Sequence, residues 1–285
     1  MNSRAGLVAL ACALCLVCSL ARAQGDARKG QYLAAIAGCA GCHTDDKPGA
    51  TPYAGGRAIT TPFGKFYGPN LTPHPQAGLG RWTPQDFHKA IRLGERPDGA
   101  HYYPVFPYAS FTGMTDADIG DLWAYLRSLP PSSQTSRAHE LTFPLQWRWP
   151  VTFWKALYFT PGPFAATPGS PAAMARGAYL VAALGHCTEC HTPRNILGGP
   201  KRGRAFTGAK LPEGRSPNLT PTRLKKWDDR QLGTYLRTGL TPEGDMASEV
   251  MEEVIRNSTS KLTEPDLAAL ILYLRSLAPL PNEPK

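Results

Sequence analysis

The chain has 285 residues and a formal charge of +9 at pH 7, from 31 Lys and Arg against 22 Asp and Glu. That length suits two compact domains better than one. The basic residues are scattered, which excludes the dense Lys/Arg run of a nucleic-acid-binding arm, and the net charge suits either a plain soluble surface or one steered to an acidic partner.

In chain order, MNSRAGLVALACALCLVCSLARA comes first. Arg4 supplies a positive start, Ala5 to Leu20 an apolar stretch, and Ala21-Arg22-Ala23 a small-x-small cleavage site, the layout of a secretory signal peptide over residues 1–23. Val17 before Cys18 argues against a lipoprotein anchor. The mature chain is expected to begin at Gln24 in the periplasm, with the charges of Arg4 and Arg22 removed. No later stretch is long and apolar enough to span a bilayer, so any membrane association is peripheral, on the outer face of the inner membrane, or through a partner. Of the seven cysteines, Cys12, Cys15 and Cys18 go with the signal; Cys39, Cys42, Cys187 and Cys190 remain.

The mature chain then repeats itself. GQYLAAIAGCAGCHT (30–44) matches GAYLVAALGHCTECHT (177–192), which has one extra residue. GPNLTP (68–73) matches SPNLTP (216–221), RWTPQDFHKAIRLG (81–94) matches KWDDRQLGTYLRTG (226–239), and MTDADIGDLWAYLRSLPP (114–131) matches LTEPDLAALILYLRSLAP (262–279). From Cys39 to Cys187, Asn70 to Asn218 and Thr115 to Thr263 the offset is a constant 148. A long period of this kind means two copies of one unit.

Each unit reads as helical. A helix with Tyr32, Leu33 and Ile36 on its apolar side leads into the first cysteine pair. A shorter helix starts at Thr83-Pro84 and stops at Gly94, with proline early and glycine late. Thr115 with Asp118 makes a capping-box-like start, and Ile119, Leu122, Trp123 and Leu126 follow at i, i+3, i+4 and i+7 until Pro130-Pro131. Thr263 with Asp266, then Leu267, Leu270, Ile271 and Leu274, repeats that design. No alternating strand pattern stands out, so the expected architecture is all-α, with units at 24–135 and 171–285 joined by a linker at 136–170. The linker's FPLQWRWPVTFWKALYFTPGPF is aromatic but broken by prolines, so a continuous membrane helix is not expected; its rings pack across the two units or form part of a docking surface.

Both cysteine pairs run straight into histidine: CAGCH at 39–43 and CTECH at 187–191. Cys-x-x-Cys-His is the attachment signal for c-type haem: two thiols add to the two vinyl groups, and the following histidine reaches the iron. A zinc ribbon is a poor fit to two pairs so far apart, and a redox or structural disulfide leaves both histidines unexplained. The expected cofactors are therefore two covalent haem c groups, on Cys39 and Cys42 with His43, and on Cys187 and Cys190 with His191.

With YLAAIAGCAGCHT, TPFGKFYGPNLTP, YPVFPY, WKALYFTPGPF, GAYLVAALGHCTECHTPRN and NSTSKLT, the sequence resembles the dihaem portion of the cytochrome c subunits of bacterial membrane-associated dehydrogenases acting on alcohols, gluconate, aldehydes or N-heterocycles. The resemblance covers nearly the whole mature chain. It implies two tandem class I cytochrome c-like domains, electron transfer from a catalytic dehydrogenase subunit towards quinone, another cytochrome or a terminal oxidase, and no small-molecule substrate or activity of its own. Many relatives carry a third haem, for which no third CxxCH is present. The resemblance also implies a methionine opposite each histidine. In the second copy Met251, in VMEEVIRNST, fits better than Met246. In the first, relatives often read YPAMPY where this chain has YPVFPY, so Phe106 stands in the methionine's place and has no lone pair to offer. That iron is then five-coordinate or takes His101 or Met114, although the repeat pairs Met114 with Leu262, a packing position. His74 and His88 lack a supporting motif. Asn70, Asn218, Trp82 and Trp227 either donate to haem propionates or serve as turn and core residues, and Arg194 either faces a propionate or caps local backbone. The rival to an electron carrier is a haem enzyme using an open first haem on peroxide or a sulfur compound.

Overall fold

Glycine decides how the main helices meet. The computed structural model describes residues 25–212 and 214–283, so the expected export segment lies outside the described residues. Helix α1 (Ala27–Ile36) starts at Asp26, whose carboxylate accepts from the amides of Arg28 and Lys29. It crosses the long helix Asp116–Ser128 at Gly30, where a Cβ would lie 1.9 Å from the carbonyl oxygen of Asp121. The crossing brings Leu33, Ala34 and Ile36 against Ile119, Leu122 and Leu126, all buried. Fully burying an aliphatic side chain of the larger kind contributes about 1.5–3 kcal/mol. In the second half Ala172–Tyr179 crosses Glu264–Ser276 at Gly177, where a Cβ would lie 1.9 Å from the carbonyl oxygen of Ala269.

Between these helices, each half carries the same small parts. α2 (Cys39–His43) is the attachment turn of the first half, and α3 (Pro84–Leu93) opens with a full capping box of Thr83 and Asp86 and ends on Gly94 at φ 62°. α4 (Tyr108–Phe111) is a single turn, followed by α5 (Asp116–Ser128). After the linker helix α6 (Trp149–Tyr158) come α7 (Ala172–Tyr179), α8 (Thr188–His191), α9 (Pro221–Leu224) and α10 (Asp229–Thr238). α10 has its own capping box, Asp228 with Gln231. α11 (Glu249–Asn257) and α12 (Glu264–Ser276) close the chain. The extra residue of the second copy is absorbed by a π-helical turn, Leu180–Leu184, between α7 and the second attachment turn, since one added residue widens a helical turn from i→i+4 to i→i+5 bonding.

The expectation of an all-α chain needs correction: the protein is mostly helical, with some sheet. β1 (Ala58–Thr61) pairs antiparallel with β2 (Gly64–Tyr67), and β3 (Glu140–Leu141) from the linker adds to β2. β4 (Ala209–Leu211) pairs with β5 (Gly214–Ser216). These strands are too short for alternation to register in sequence, and β3 reaches its partner only because the linker folds back.

The linker touches both halves. Phe66, Tyr103, Leu141 and Val151 form a small core of their own. The Arg148 guanidinium lies 4.5 Å from the Tyr103 ring centroid, and Lys155 Nζ donates to the carbonyl of Leu93 at 2.6 Å. On the other side Tyr158 accepts from Asn195 and Arg202. Its outward face leaves Phe143, Trp147, Trp149, Phe153 and Leu157 exposed. Among the described residues no helix is long and apolar enough to cross a membrane.

The halves also share one continuous apolar core, running from Leu33 and Ile36 to Leu270 and Leu274. Two reciprocal hydrogen bonds clasp them. Tyr32 Oη donates to Asp266 Oδ2 at 2.7 Å, and Tyr179 Oη donates to Asp118 Oδ2 at 2.5 Å. Tyr32 and Tyr179 are equivalent in the repeat, as are Asp118 and Asp266, so the contact is self-complementary. Each aspartate also meets a base from its own half: Lys29 Nζ on Asp118 at 2.7 Å, and Arg176 Nη2 on Asp266 at 2.7 Å. The capping boxes expected at Thr115 and Thr263 are consequently half made. The threonines accept from the Asp118 and Asp266 amides, while each carboxylate is shared between a tyrosine of the opposite half and a base of its own.

Candidate functional site

The two Cys-x-x-Cys-His segments fold as short helical turns, and helical spacing puts residues i, i+3 and i+4 on one face. Cys39, Cys42 and His43 therefore share a side of α2, and Cys187, Cys190 and His191 do the same at α8. Each histidine is oriented by the next matching piece of the repeat. His43 Nδ1 lies 2.8 Å from the carbonyl oxygen of Pro69, and His191 Nδ1 lies 2.8 Å from that of Pro217. A carbonyl only accepts, so Nδ1 carries the proton and Nε2, across the ring, presents its lone pair. Burial lowers the pKa of both imidazoles, and the proline carbonyls oppose that only in part. Neutral imidazole is the form that binds a metal. Burial also pushes the Cys39 and Cys187 thiols up to about 12.

Two thiols and an oriented neutral imidazole on one face of a turn, twice over, are the donor set that a c-type haem requires. The segments that hold the prolines are fitted closely to these turns. A Cβ on Gly68 would lie 1.8 Å from the Cys42 carbonyl oxygen. At the equivalent position Ser216 keeps its side chain and donates Oγ to the Cys190 carbonyl at 2.5 Å.

The remaining sequence candidates separate clearly. Met251 lies on α11, half-buried against the shared core, whereas Met246 is 60% exposed. Met114 is completely buried in that core. Phe106 packs edge-on or tilted against Tyr102, Tyr108 and Phe111, with centroids 5.4, 6.3 and 5.8 Å away. The His101 ring is held at Nδ1 by Lys155 Nζ at 3.0 Å. His74 Nδ1 accepts from the amides of Gln76 and Ala77 in its own turn, and His88 Nε2 meets Asp116 at 2.9 Å.

The asparagines act as turn residues. Asn70 Oδ1 accepts from both the amide and hydroxyl of Thr72, while Nδ2 donates to the Ser132 and Gln134 carbonyls. Asn218 accepts from the Thr220 amide and donates to the Leu280 carbonyl. Trp82 and Trp227 pack against the core. Arg194 caps locally, on the Gly198 carbonyl at 2.7 Å and on the Glu189 carboxylate. Sequence reasoning missed the proline carbonyls, the tyrosine–aspartate clasps and an ion pair between Arg57 and Glu253. The constant offset pairs Pro69 with Pro217 and would have found the first; nothing local announces the last.

Comparison with known proteins places the chain in a family. A family described as cytochrome c matches residues 27–130. A diheme cytochrome c-type protein of Cereibacter sphaeroides is 42% identical over 259 residues, covering 88% of this chain and 86% of that one. The fructose dehydrogenase cytochrome subunit of Gluconobacter japonicus is 38% identical, with 87% of this chain matched to 52% of its length. The cytochrome c subunit of the quinone-linked alcohol dehydrogenase of Gluconacetobacter polyoxogenes is 36% identical, with 89% of this chain matched to 56% of its length. The chain thus spans about half the length of the last two relatives.

Proposed function

This chain belongs to the c-type cytochromes, and on that premise we propose that it is a periplasmic dihaem electron carrier serving a catalytic dehydrogenase subunit and a downstream acceptor. Haem c supplies the reversible one-electron iron couple. The chain's own residues tether it through Cys39 and Cys42, with His43 on the metal, and through Cys187 and Cys190, with His191. The units are 24–135 and 171–285, and residues 1–23 direct export. The observation that carries the reading is the repeated attachment turn with each histidine Nδ1 held 2.8 Å from a proline carbonyl. The relatives' names, cytochrome subunits of fructose and alcohol dehydrogenases, support a dehydrogenase partner. The exposed rings of Phe143, Trp147, Trp149 and Phe153 support a protein or membrane contact, since clustered exposed apolar side chains mark interaction surfaces.

Met251 would offer its thioether to the second iron, a role its half-buried place on α11 supports. Phe106 has no donor atom for the first iron, which is either left without a sixth protein ligand or takes His101, through its Nε2, or Met114. An iron without a strong sixth ligand favours a second reading, chemistry on a small molecule such as peroxide at the first haem.

Mass spectrometry of the chain secreted by a host competent in haem attachment tests the main reading. The expected product begins near Gln24 and carries two haem masses, and one with Cys39→Ala and Cys42→Ala carries a single haem. A polypeptide without added mass overturns it. Carbon monoxide added to the reduced protein separates the two readings: binding at one haem supports an open first iron, and turnover with peroxide would then be required for the enzyme reading. Phe106→Met is expected to raise the potential of the first haem.

A further inference from the structure

Each attachment loop has one carboxylate and one arginine beside it, assembled in two different ways. In the second half the carboxylate belongs to the loop itself. Glu189, between Cys187 and Cys190, pairs with Arg194 of the same half and accepts from Ser110 Oγ of the first half at 2.6 Å. In the first half the loop has Gly41 at that position. Its carboxylate comes from the other half: a Cβ on Gly41 would meet Glu253 Oε1 at 3.4 Å and Asn257 Nδ2 at 3.8 Å, both on α11. Arg57 of the first half grips this carboxylate with both terminal nitrogens, Nη1 to Oε1 at 3.1 Å and Nη2 to Oε2 at 2.9 Å. The two side chains are only 28% and 27% exposed. Asp46, which also pairs with Arg57, is 61% exposed and better screened by solvent.

We propose that Glu253 and Arg57 set the redox potential of the iron held at His43, with the carboxylate supplied across the interface by the helix that carries Met251. The inference rests on the dihaem reading above and goes beyond it by assigning potential-tuning residues. A carboxylate beside the loop stabilises the more positive oxidised centre and lowers its potential; a guanidinium does the opposite. Partial burial keeps both effects from being screened away. Bidentate pairing fixes both charges relative to the loop.

The test uses the full chain with its haems attached, in redox titrations followed optically. Haem content is measured first by mass, so a chain without haem fails the functional reading and is distinguished from failure here. Glu253→Gln is expected to move the first-haem wave up and Arg57→Gln to move the same wave down, with the double variant returning close to the parent. Glu189→Gln should move the other wave, which assigns the two. Opposite shifts in a single wave support the proposal. Shifts of the same sign, as loss of a purely structural contact would produce, or no shift in that wave, overturn it.

Discussion

The two halves keep the same skeleton and differ around the attachment turns. Both have a glycine at the helix crossing, a capping box on the middle helix, a proline carbonyl behind the histidine and a tyrosine reaching across the interface. Four of their differences lie around the attachment turns. The first half has Gly41 in its attachment loop where the second has Glu189, Gly68 where the second has Ser216, Phe106 and one turn of helix where the second has Met251 on α11, and no counterpart to the π-helical turn before Cys187. Residues that build the frame thus remain in register, whereas residues that set the surroundings of each attachment turn have diverged. The shared features are the mechanical ones.

Four sets of variants probe that contrast. The largest effect is expected from Gly30→Ala and Gly177→Ala. A Cβ at either position meets a backbone oxygen at 1.9 Å, which no rotamer change can relieve, so each helix pair must separate, at a cost of about 3 kcal/mol. Denaturant titration should show matching losses, and a loss at only one site would contradict mechanical equivalence.

Next come Tyr32→Phe and Tyr179→Phe. Each leaves a buried carboxylate short of one hydrogen bond, a change worth about 1–3 kcal/mol. Similar costs for the two variants are expected by the same titrations, since the clasps are reciprocal. A neutral result for either would remove that clasp from the account.

The aspartates make the same point through pH. Burial alone would push the Asp118 carboxyl up, but the hydrogen bonds from Lys29 and Tyr179 outweigh it and hold the group below the usual range. For Asp266 burial is likewise outweighed, by Arg176 and Tyr32. A carboxyl whose pKa is lower folded than unfolded adds stability above its unfolded value of about 3.9. That stability is lost as pH falls through the folded value. Acid unfolding should therefore steepen below about pH 4, and Asp118→Asn with Asp266→Asn should flatten that limb. An unchanged acid limb in the double variant would refute the linkage. The smallest effect is at the middle helices, where Thr83→Ala and Asp228→Ala each remove a cap worth about 1 kcal/mol. Thermal melts should rank them together and below the tyrosines.

Much of this was legible from residues close together in the chain. The helix starts at Thr83 and Thr115, the stop at Gly94, the attachment motifs and the repeat all depend on near neighbours or on a fixed offset. The strands were not legible, because β1 and β2 are four residues each and β3 comes from the far side of the first half. The asparagines were ambiguous because an Asx-type turn and a ligand contact need the same side chain.

The helical frame and the paired cysteines and histidines are written in contiguous residues, through capping, periodicity and a five-residue motif, and the internal repeat in a constant offset. Where the carboxylates go is settled by the folded chain instead. Asp118 and Asp266 sit where a capping box would use them, yet each accepts a tyrosine hydroxyl from the other half, and Tyr32 is 234 positions from its aspartate. Glu253 reaches Arg57 over 196 positions. A partly buried charge must find a partner wherever the folded chain presents one, and no local pattern in the sequence says which distant residue that will be.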